Sequence, residues 1–283
     1  MRLIRVGQPG RERPAVRLAD GTAADARPVT ADYDSAFFAG GGLDELAAAL
    51  RDGRLPPLDG PAARLGPPIA RPPKIVCVGL NYADHARESG QPLPAEPTIF
   101  LKAPYTLVGP DDDVLLPRRS CKTDYEVELG VVIGRAARYL DAPDQARRHV
   151  AGYCVSNDVS EREFQLERGG QWDKGKSCET FNPLGPWLVT ADEVGDPQQL
   201  RLTTHVDGEL RQDGCTRDMA FGVDHLVWYL SQFMVLEPGD LINTGTPAGV
   251  ALGMDPPRYL RAGSVVELEI SGLGRQRQTV RPA

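Results

Sequence analysis

Two glutamates that could bind a metal ion lie at positions 126 and 128 of the chain, separated by one residue. The segment from 124 to 134 alternates as a half-buried strand does, so Glu126 and Glu128 point to one face and their apolar neighbours to the other. Two carboxylates on one face repel each other unless a cation lies between them, and Mg²⁺ and Ca²⁺ prefer such oxygen ligands. Asp158 could supply a third oxygen from a neighbouring strand. The pattern indicates a divalent-metal site, and the alternative is a solvated polar face on an edge strand.

An acid–base pair is indicated by His85 and Glu88, which lie three residues apart in a segment with a helical pattern. Residues at this spacing share one face of a helix. A carboxylate beside an imidazole fixes its tautomer and stabilises the imidazolium, so His85 is a candidate general base. For the pair taken alone, the alternative is an exposed helix whose His85 and Glu88 merely face water.

Further polar groups follow in three places along the chain. Arg162 and Gln165 have the spacing of one helical face, and Arg162 could bind a substrate carboxylate with both prongs of its guanidinium. Lys176, in a glycine-containing loop, could stabilise an oxyanion at a substrate carbonyl. The turn at 243–249 is rich in hydroxyls and in backbone N–H groups of the kind that bind anions. Taken singly, these features are equally typical of a surface salt bridge, a solvated loop and an ordinary turn.

The elements that must position these residues are mostly strands. Apolar patterns and turn signals predict strands at 2–6, 14–18, 74–79, 202–206, 209–212, 265–270 and 276–280. Helical patterns are fewer and predict helices at 43–50, 82–88, 144–150 and 223–233. Because strands and helices do not alternate regularly, the sequence predicts an α+β fold dominated by strands rather than a doubly wound one.

Composition divides the chain into three parts. Residues 1–55 read as a small N-terminal αβ domain with two strands and one helix. Residues 56–73 contain seven prolines, a composition typical of a stiff, extended linker. Residues 74–283 form the main domain and contain every candidate site residue.

Charge and cysteine usage exclude several classes of protein. The net charge of −7 over 283 residues argues against a nucleic-acid or anionic membrane partner, and no apolar run approaches the length of a membrane span. The N-terminus is too short and too polar for a signal peptide. The five scattered cysteines form neither a disulfide framework nor a zinc motif. The sequence thus predicts a soluble protein of the reducing cytoplasm.

Six motifs resemble, in order and rough spacing, those of the fumarylacetoacetate hydrolase family. They are Gly79-Leu80-Asn81-Tyr82 with His85 and Glu88, then Thr98 to Lys102, Asp124 to Gly130, Asn157-Asp158, Lys176-Ser177, and Thr244 to Pro247. The resemblance covers about residue 74 to the C-terminus. The preceding unit is similar to the small, variable N-terminal domain that many members of the family carry.

The resemblance implies a mixed β-sandwich roll, usually a homodimer, with a Mg²⁺ or Mn²⁺ site. The site residues that it implies are Glu126, Glu128 and Asp158 as metal ligands, His85 and Glu88 as the acid–base pair, Lys176 as the active-site lysine, and Arg162, Gln165 and Thr246 as substrate contacts. Asp124 lies on the same strand face as the two glutamates but matches no ligand of the family. We therefore expect it to lie next to the metal ligands without binding the ion itself.

The resemblance also implies a reaction, the hydrolysis of the C3–C4 bond of a 2,4-diketo acid to pyruvate and a second carboxylic acid. The metal would act as Lewis acid and template, His85 would take a proton from water, and Lys176 would steady the oxyanion. A decarboxylase of the oxaloacetate type and a dienoate isomerase could use the same metal site. The His85–Glu88 pair favours hydrolysis, since decarboxylation needs no activated water. A non-catalytic protein that binds a metal or a sugar acid is the alternative from another class.

The run from Ser160 to Cys178 resembles hydrolases that finish the non-phosphorylated breakdown of L-fucose or L-rhamnose. Its polar side chains are Gln165, Glu167, Arg168, Gln171 and Lys174. These groups would suit a hydroxyl-bearing substrate tail better than an apolar one. We therefore expect a 2,4-diketo-3-deoxy sugar acid as substrate, with pyruvate and lactate as products.

Overall fold

The computed structural model describes residues 1–60 and 64–283, so Pro61 of the predicted linker lies outside the described residues. Within these two ranges the chain has nineteen strands and six α-helices. The strands are β1 (Arg2–Val6), β2 (Arg13–Arg17), β3 (Ala23–Asp25), β4 (Leu65–Gly66), β5 (Ile75–Gly79), β6 (Thr98–Lys102), β7 (Leu107–Val108), β8 (Val114–Leu116), β9 (Thr123–Asp124), β10 (Val127–Ile133), β11 (Val150–Asn157), β12 (Ser160–Glu161), β13 (Asn182–Pro183), β14 (Leu188–Thr190), β15 (Arg201–Val206), β16 (Glu209–Cys215), β17 (Leu241–Asn243), β18 (Val265–Ile270) and β19 (Gly274–Pro282).

Helical segments are short and lie between the strands. The α-helices are α1 (Ser35–Ala39), α2 (Gly42–Arg51), α3 (Ala83–Glu88), α4 (Asp173–Lys176), α5 (Ala191–Val194) and α6 (Val223–Leu230). A π-helical turn spans Glu163–Glu167, and one of the 3₁₀ turns spans Ala251–Gly253. The segment predicted as a helix at 144–150 is a 3₁₀ turn, Pro143–His149. The predicted strand-dominated α+β class is confirmed.

One large sheet carries the candidate site. In the described residues its strand order is β3-β2-β1-β14-β11-β10-β17-β5-β6, with β4 also paired to β1. β10 lies in the interior between the antiparallel strands β11 and β17. The prediction of a half-buried strand is wrong for β10, because every one of its residues is buried. Val127, Leu129 and Val131 enter one core and Val132 enters the core on the opposite face.

A second sheet covers the odd-numbered face of β10. Its order is β16-β15-β18-β19-β8, and Leu202, Val266 and Leu268 of this sheet share one core with Val127 and its neighbours. The predicted hairpin between β15 and β16 is confirmed. Asp207 and Gly208 both have positive φ angles, 52° and 82°, as a two-residue turn of this kind requires.

The N-terminal unit joins the large sheet. Arg2 and Leu3 of β1 pair with Val189 and Leu188 of β14, which lies in the main part of the chain. The predicted strands and helix of this unit are present within one residue at each boundary. The division into domains at 55 and 73 stays a prediction, and the sheet is continuous across it.

α6 and the turn that follows it present an aromatic row on the protein surface. The rings of Tyr229 and Phe233 are 4.8 Å apart, His225 stacks on Tyr229, and Phe233 is 62% exposed. Trp228 packs in part against the core. No helix in the described ranges is long and apolar enough to cross a membrane.

The predicted homodimer is tested by light scattering at micromolar concentration. An exposed aromatic row is typical of an interaction surface, and we expect the mass of two chains of 30.7 kDa each. The mass of a single chain would contradict the prediction.

Candidate active site

Three carboxylates converge at the ends of β10 and β11. Glu126 precedes β10, Glu128 lies on it, and Asp158 follows β11; the pairing of Val127 with Asn157 sets Asp158 beside Glu126. The backbone N–H of Asp158 donates to the Glu126 carbonyl at 3.0 Å, which continues the pairing of the two strands. All three side chains are buried, and one oxygen from each lies within 4.8 Å of the others. The alternative of a solvated edge strand is excluded, because β10 is an interior strand.

Two buried lysines partly balance this charge. Lys176 Nζ lies 2.7 Å from Glu126 Oε2 and 2.8 Å from Asp158 Oδ2. Lys102 forms an ion pair with the other oxygen of Asp158 and donates to the Val159 carbonyl at 3.0 Å. Sequence reasoning did not select Lys102. Its signal is the alternation of β6, in which Phe100 and Lys102 are buried while Leu101 is exposed.

The pKa shifts show that nearby positive charges compensate Glu126 but not Glu128. Burial would raise the pKa of Glu126, but the charges of Lys176 and Arg162 outweigh burial and lower it. Burial would lower the pKa of Lys176, yet Asp158 and Glu126 raise it to about 12. For Glu128, burial and the charges of Asp158 and Glu126 raise the pKa well above its ordinary value. Three buried carboxylates, one of them poorly compensated, fit a hard divalent cation that prefers oxygen ligands.

The His85–Glu88 pair forms as the spacing predicts. His85 is buried on α3, and its Nδ1 lies 2.9 Å from Glu88 Oε1. Because an ionised carboxylate can only accept, Nδ1 carries the proton, and Nε2 of a neutral ring is left as the basic nitrogen. Glu88 Oε2 accepts from the backbone N–H of Gly249 at 2.9 Å. A Cβ atom on Gly253 would lie 2.6 Å from the Glu88 carboxyl carbon, so glycine leaves room for this carboxylate.

A cavity of about 250 Å³ is lined by His85 of the His–Glu pair and by Glu126 and Glu128 of the triad, whereas Glu88 and Asp158 do not line it. The predicted site residues that line it are His85, Glu126, Glu128, Arg162, Gln165, Lys176 and Thr246. Its other polar side chains are Ser89 and Gln91, and its apolar wall consists of Val78, Leu80, Phe100, Leu166, Trp172 and Leu252. A base, a carboxylate cluster and a buried ammonium therefore face one small space.

Arg162 is bound on three sides by the protein itself. Its Nε donates to Asp124 at 2.9 Å, its Nη1 donates to Gln165 Oε1 at 3.0 Å, and its Nη2 lies 2.7 Å from Glu126 Oε1. Asp124 and Gln165 accept hydrogen bonds from Nε and Nη1, whereas Nη2 only lies close to Glu126 and makes no hydrogen bond within the described residues. The role of Arg162 in substrate binding stays a prediction, and the structure gives it a second task, the orientation of Glu126.

The turn after β17 holds a carboxylate. The N–H of Gly245 donates to Glu128 Oε2 at 2.7 Å, so the anion bound by this hydroxyl-rich turn is a side chain of the protein. The Thr246 hydroxyl donates to the Val127 carbonyl at 2.9 Å and accepts from Gln212 Nε2 at 2.7 Å. Thr246 lines the cavity, and its predicted contact with a substrate carboxylate stays a prediction.

The fold and the polar cavity are those of an enzyme with a buried acidic centre. The family model described as fumarylacetoacetate (FAA) hydrolase C-terminal matches residues 74–281. The chain therefore belongs to the fumarylacetoacetate hydrolase family. The match begins where the predicted main domain begins.

Relatives that match over the full length have names of two kinds. A protein of Burkholderia multivorans named "Putative hydrolase" is 51% identical over 284 residues, which cover 100% of both chains. The solved fumarylacetoacetate hydrolase of Exiguobacterium antarcticum is 38% identical with a TM-score of 0.86 and covers 100% of both chains. The 2-hydroxyhepta-2,4-diene-1,7-dioate isomerase of Mycobacterium marinum is 32% identical with a TM-score of 0.75, over 100% of this chain and 98% of that one. This fold thus occurs in proteins named as hydrolases and in proteins named as isomerases.

Proposed function

We propose that the protein is a divalent-metal-dependent hydrolase that cleaves the C3–C4 bond of a 2,4-diketo acid and releases pyruvate. The observation that carries the proposal is the meeting of His85 with Glu126 and Glu128 in one cavity. Such a reaction needs a site that holds the 2-oxo acid end and a base that activates water next to it. Both are supported by the geometry of the described residues.

The residues that would hold Mg²⁺ or Mn²⁺ are Glu126, Glu128 and Asp158. When bound, the ion would supply Lewis-acid polarisation of the 2-oxo acid end of the substrate. Lys102 and Lys176 hold Asp158 in place, and Lys176 also holds Glu126 and lowers its pKa. Arg162 fixes the remaining oxygen of Glu126.

His85 would take a proton from water through Nε2, with Nδ1 held by Glu88. The hydroxide oxygen then forms a bond to C4, and the negative charge that develops on the C4 oxygen would be stabilised by Lys176. Lys176 donates to the Glu126 and Asp158 carboxylates at 2.7 and 2.8 Å, and its third contact, with the Asp158 carbonyl, is long at 3.5 Å, so this third N–H is the one that could turn to the substrate oxygen. The C3–C4 bond breaks, its electron pair moves to C3 as the enolate of pyruvate, and a proton returns to C3. C4 leaves as a carboxylic acid.

Two other activities would use the same centre, a decarboxylase of 2-oxo acids and a dienoate isomerase. The His85–Glu88 pair favours hydrolysis over decarboxylation, because only hydrolysis needs an activated water. A protein that merely binds a metal or a sugar acid has no use for a buried base directed into its cavity. Pyruvate release from an acylpyruvate that stops with EDTA would separate the hydrolase from that binding protein.

The nature of the substrate tail is a finer part of the proposal. Of the polar residues that favour a sugar acid, Gln165 lines the cavity and is joined there by Ser89 and Gln91. The others bind protein groups outside it: Glu167 pairs with Lys122, Arg168 with Glu163, Gln171 with Asp173, and Lys174 with the Arg168 carbonyl. The wall formed by Phe100 and Trp172, whose rings are 5.4 Å apart, favours a second candidate, an acylpyruvate with a planar or apolar tail.

A substrate panel decides between the two tails. For a sugar acid, we expect kcat/KM on 2,4-diketo-3-deoxy-L-fuconate or -L-rhamnonate to exceed that on acetylpyruvate by at least about tenfold, because a site that binds a substrate hydroxyl rejects analogues that lack it. The measurement is pyruvate release with Mg²⁺ and with Mn²⁺. Equal constants would remove the sugar-acid assignment, and a preference for an acylpyruvate with an unsaturated tail would support the second candidate.

A further inference from the structure

Asp124 connects two parts of the site that are far apart in the sequence. Its side chain is fully buried and accepts four hydrogen bonds, of which one comes from the adjacent N–H of Tyr125. The other three come from Arg162, Ala251 and Leu252. A carboxylate in this position is fixed from several directions and fixes its partners in return.

The first connection made by Asp124, here called the first arm, runs through Arg162 to the acidic triad. Asp124 Oδ2 accepts from Arg162 Nε at 2.9 Å, and the same guanidinium lies 2.7 Å from Glu126 Oε1. The pairing of Asp124 with Ser160 in the β9–β12 ladder holds the chain of Arg162 close to this carboxylate. Asp124 therefore sets the plane of the guanidinium that orients Glu126.

The second connection, the second arm, runs through the turn at 249–252 to the His85–Glu88 pair. Asp124 accepts from the N–H groups of Ala251 at 2.8 Å and Leu252 at 3.0 Å, and so fixes the 3₁₀ turn that they belong to. Gly249, two residues before that turn, donates its N–H to Glu88 at 2.9 Å. The position of Gly249 is narrowly defined, because its φ is +107° and an added Cβ would lie 2.0 Å from a backbone oxygen.

We propose that Asp124 is a positioning residue that holds Glu126, through Arg162, and Glu88, through the turn at 249–252, in one fixed relation. The inference rests on the proposed metal site and adds the residue that fixes the position of this site relative to the base. Asp124 itself does not line the cavity. Its substitution should disturb both arms at once.

The test compares Asp124→Asn with a matched control, Glu161→Gln. Glu161 is a fully buried carboxylate on the same short ladder; it accepts from Ser120, Thr123 and nearby backbone N–H groups and contacts neither arm. Both variants lose one buried charge and keep the side-chain shape. Only Asp124→Asn replaces, by an NH₂ donor, one of the two oxygens that accept from the Arg162 guanidinium and the 249–252 turn.

Two readouts follow the two arms. Calorimetric titration with Mg²⁺ or Mn²⁺ should show affinity reduced by about 10–100-fold in Asp124→Asn, the usual loss when a partner of a metal ligand is removed. Hydrogen exchange at the Gly249 amide should become at least about tenfold faster, although its own acceptor Glu88 is unchanged. In Glu161→Gln both quantities should stay near those of the unsubstituted protein.

Unchanged metal affinity and unchanged Gly249 exchange in Asp124→Asn would overturn the proposal, as would equal losses in Glu161→Gln. If Asp124→Asn does not fold, Arg162→Lys decides, since lysine lacks the fork that bonds several partners together. Weaker metal binding with unchanged Gly249 exchange in that variant supports the first arm, and unchanged binding overturns it. Neither readout involves substrate, so failure of the proposed hydrolysis would show separately, as absence of pyruvate release by the unsubstituted protein.

Discussion

Replacement of His85 by alanine is expected to slow hydrolysis by about 10²–10⁴-fold, the usual contribution of a positioned acid–base group. The reason is geometric: His85 lines the cavity, and its Nδ1 is held by Glu88 at 2.9 Å. Metal affinity should persist, because the triad carboxylates are held by Lys102, Lys176 and Arg162. The measurement is kcat for pyruvate release from the best 2,4-diketo acid of the panel.

Two comparisons make the result specific. His205→Ala removes a half-buried imidazole on β15 that does not line the cavity, and its kcat should match that of the unsubstituted protein. Oxaloacetate decarboxylation, if the protein performs it, should survive in His85→Ala, since that reaction needs no activated water. Hydrolysis by His85→Ala at the parental rate would refute the role of His85 as base.

Local spacing was sufficient to predict that His85 and Glu88 share one helix face, and to predict most elements of the fold; the acid–base role of the pair stays a prediction. The pair depends only on an i, i+3 relation within α3, which helix geometry fixes. The hairpin at Asp207-Gly208 depends on two adjacent residues with positive φ. The alternation at 124–134 was sufficient to predict that β10 is a strand, but not that all of its residues are buried. Features of this kind are encoded within about ten residues and do not depend on the rest of the chain.

The contacts that complete the site are long-range and could not be predicted in this way. Lys102 meets Asp158 across 56 positions of sequence, and Ala251 meets Asp124 across 127. The full burial of β10 follows from β17, a strand more than one hundred residues away, and from the second sheet. For the same reason the sequence could not show that Arg162 is already bound to Asp124, Glu126 and Gln165.

Glu128→Gln is expected to weaken Mg²⁺ binding by more than about 100-fold, since loss of a mere partner of a ligand already costs about 10–100-fold. Activity should fall with it, because Glu126 and Asp158 remain as an incomplete cage. Glu161→Gln, which keeps all three carboxylates, is the control. Calorimetric titration of metal-stripped protein measures the effect, and an unchanged affinity in Glu128→Gln would refute the assignment of this ligand.

Glu128→Gln should also change how the stability of the metal-free protein depends on pH. Burial and the charges of Asp158 and Glu126 raise the pKa of Glu128 in the folded state. Between the ordinary and the raised pKa the folded state therefore binds more protons than the unfolded state, so stability falls as pH rises through this range. Glu128→Gln removes the titrating group, so its Tm in EDTA should fall less than that of the unsubstituted protein as the pH rises above the ordinary pKa of a glutamate. Parallel Tm profiles for the two proteins would contradict this prediction, because they would show that folding does not raise the pKa of Glu128.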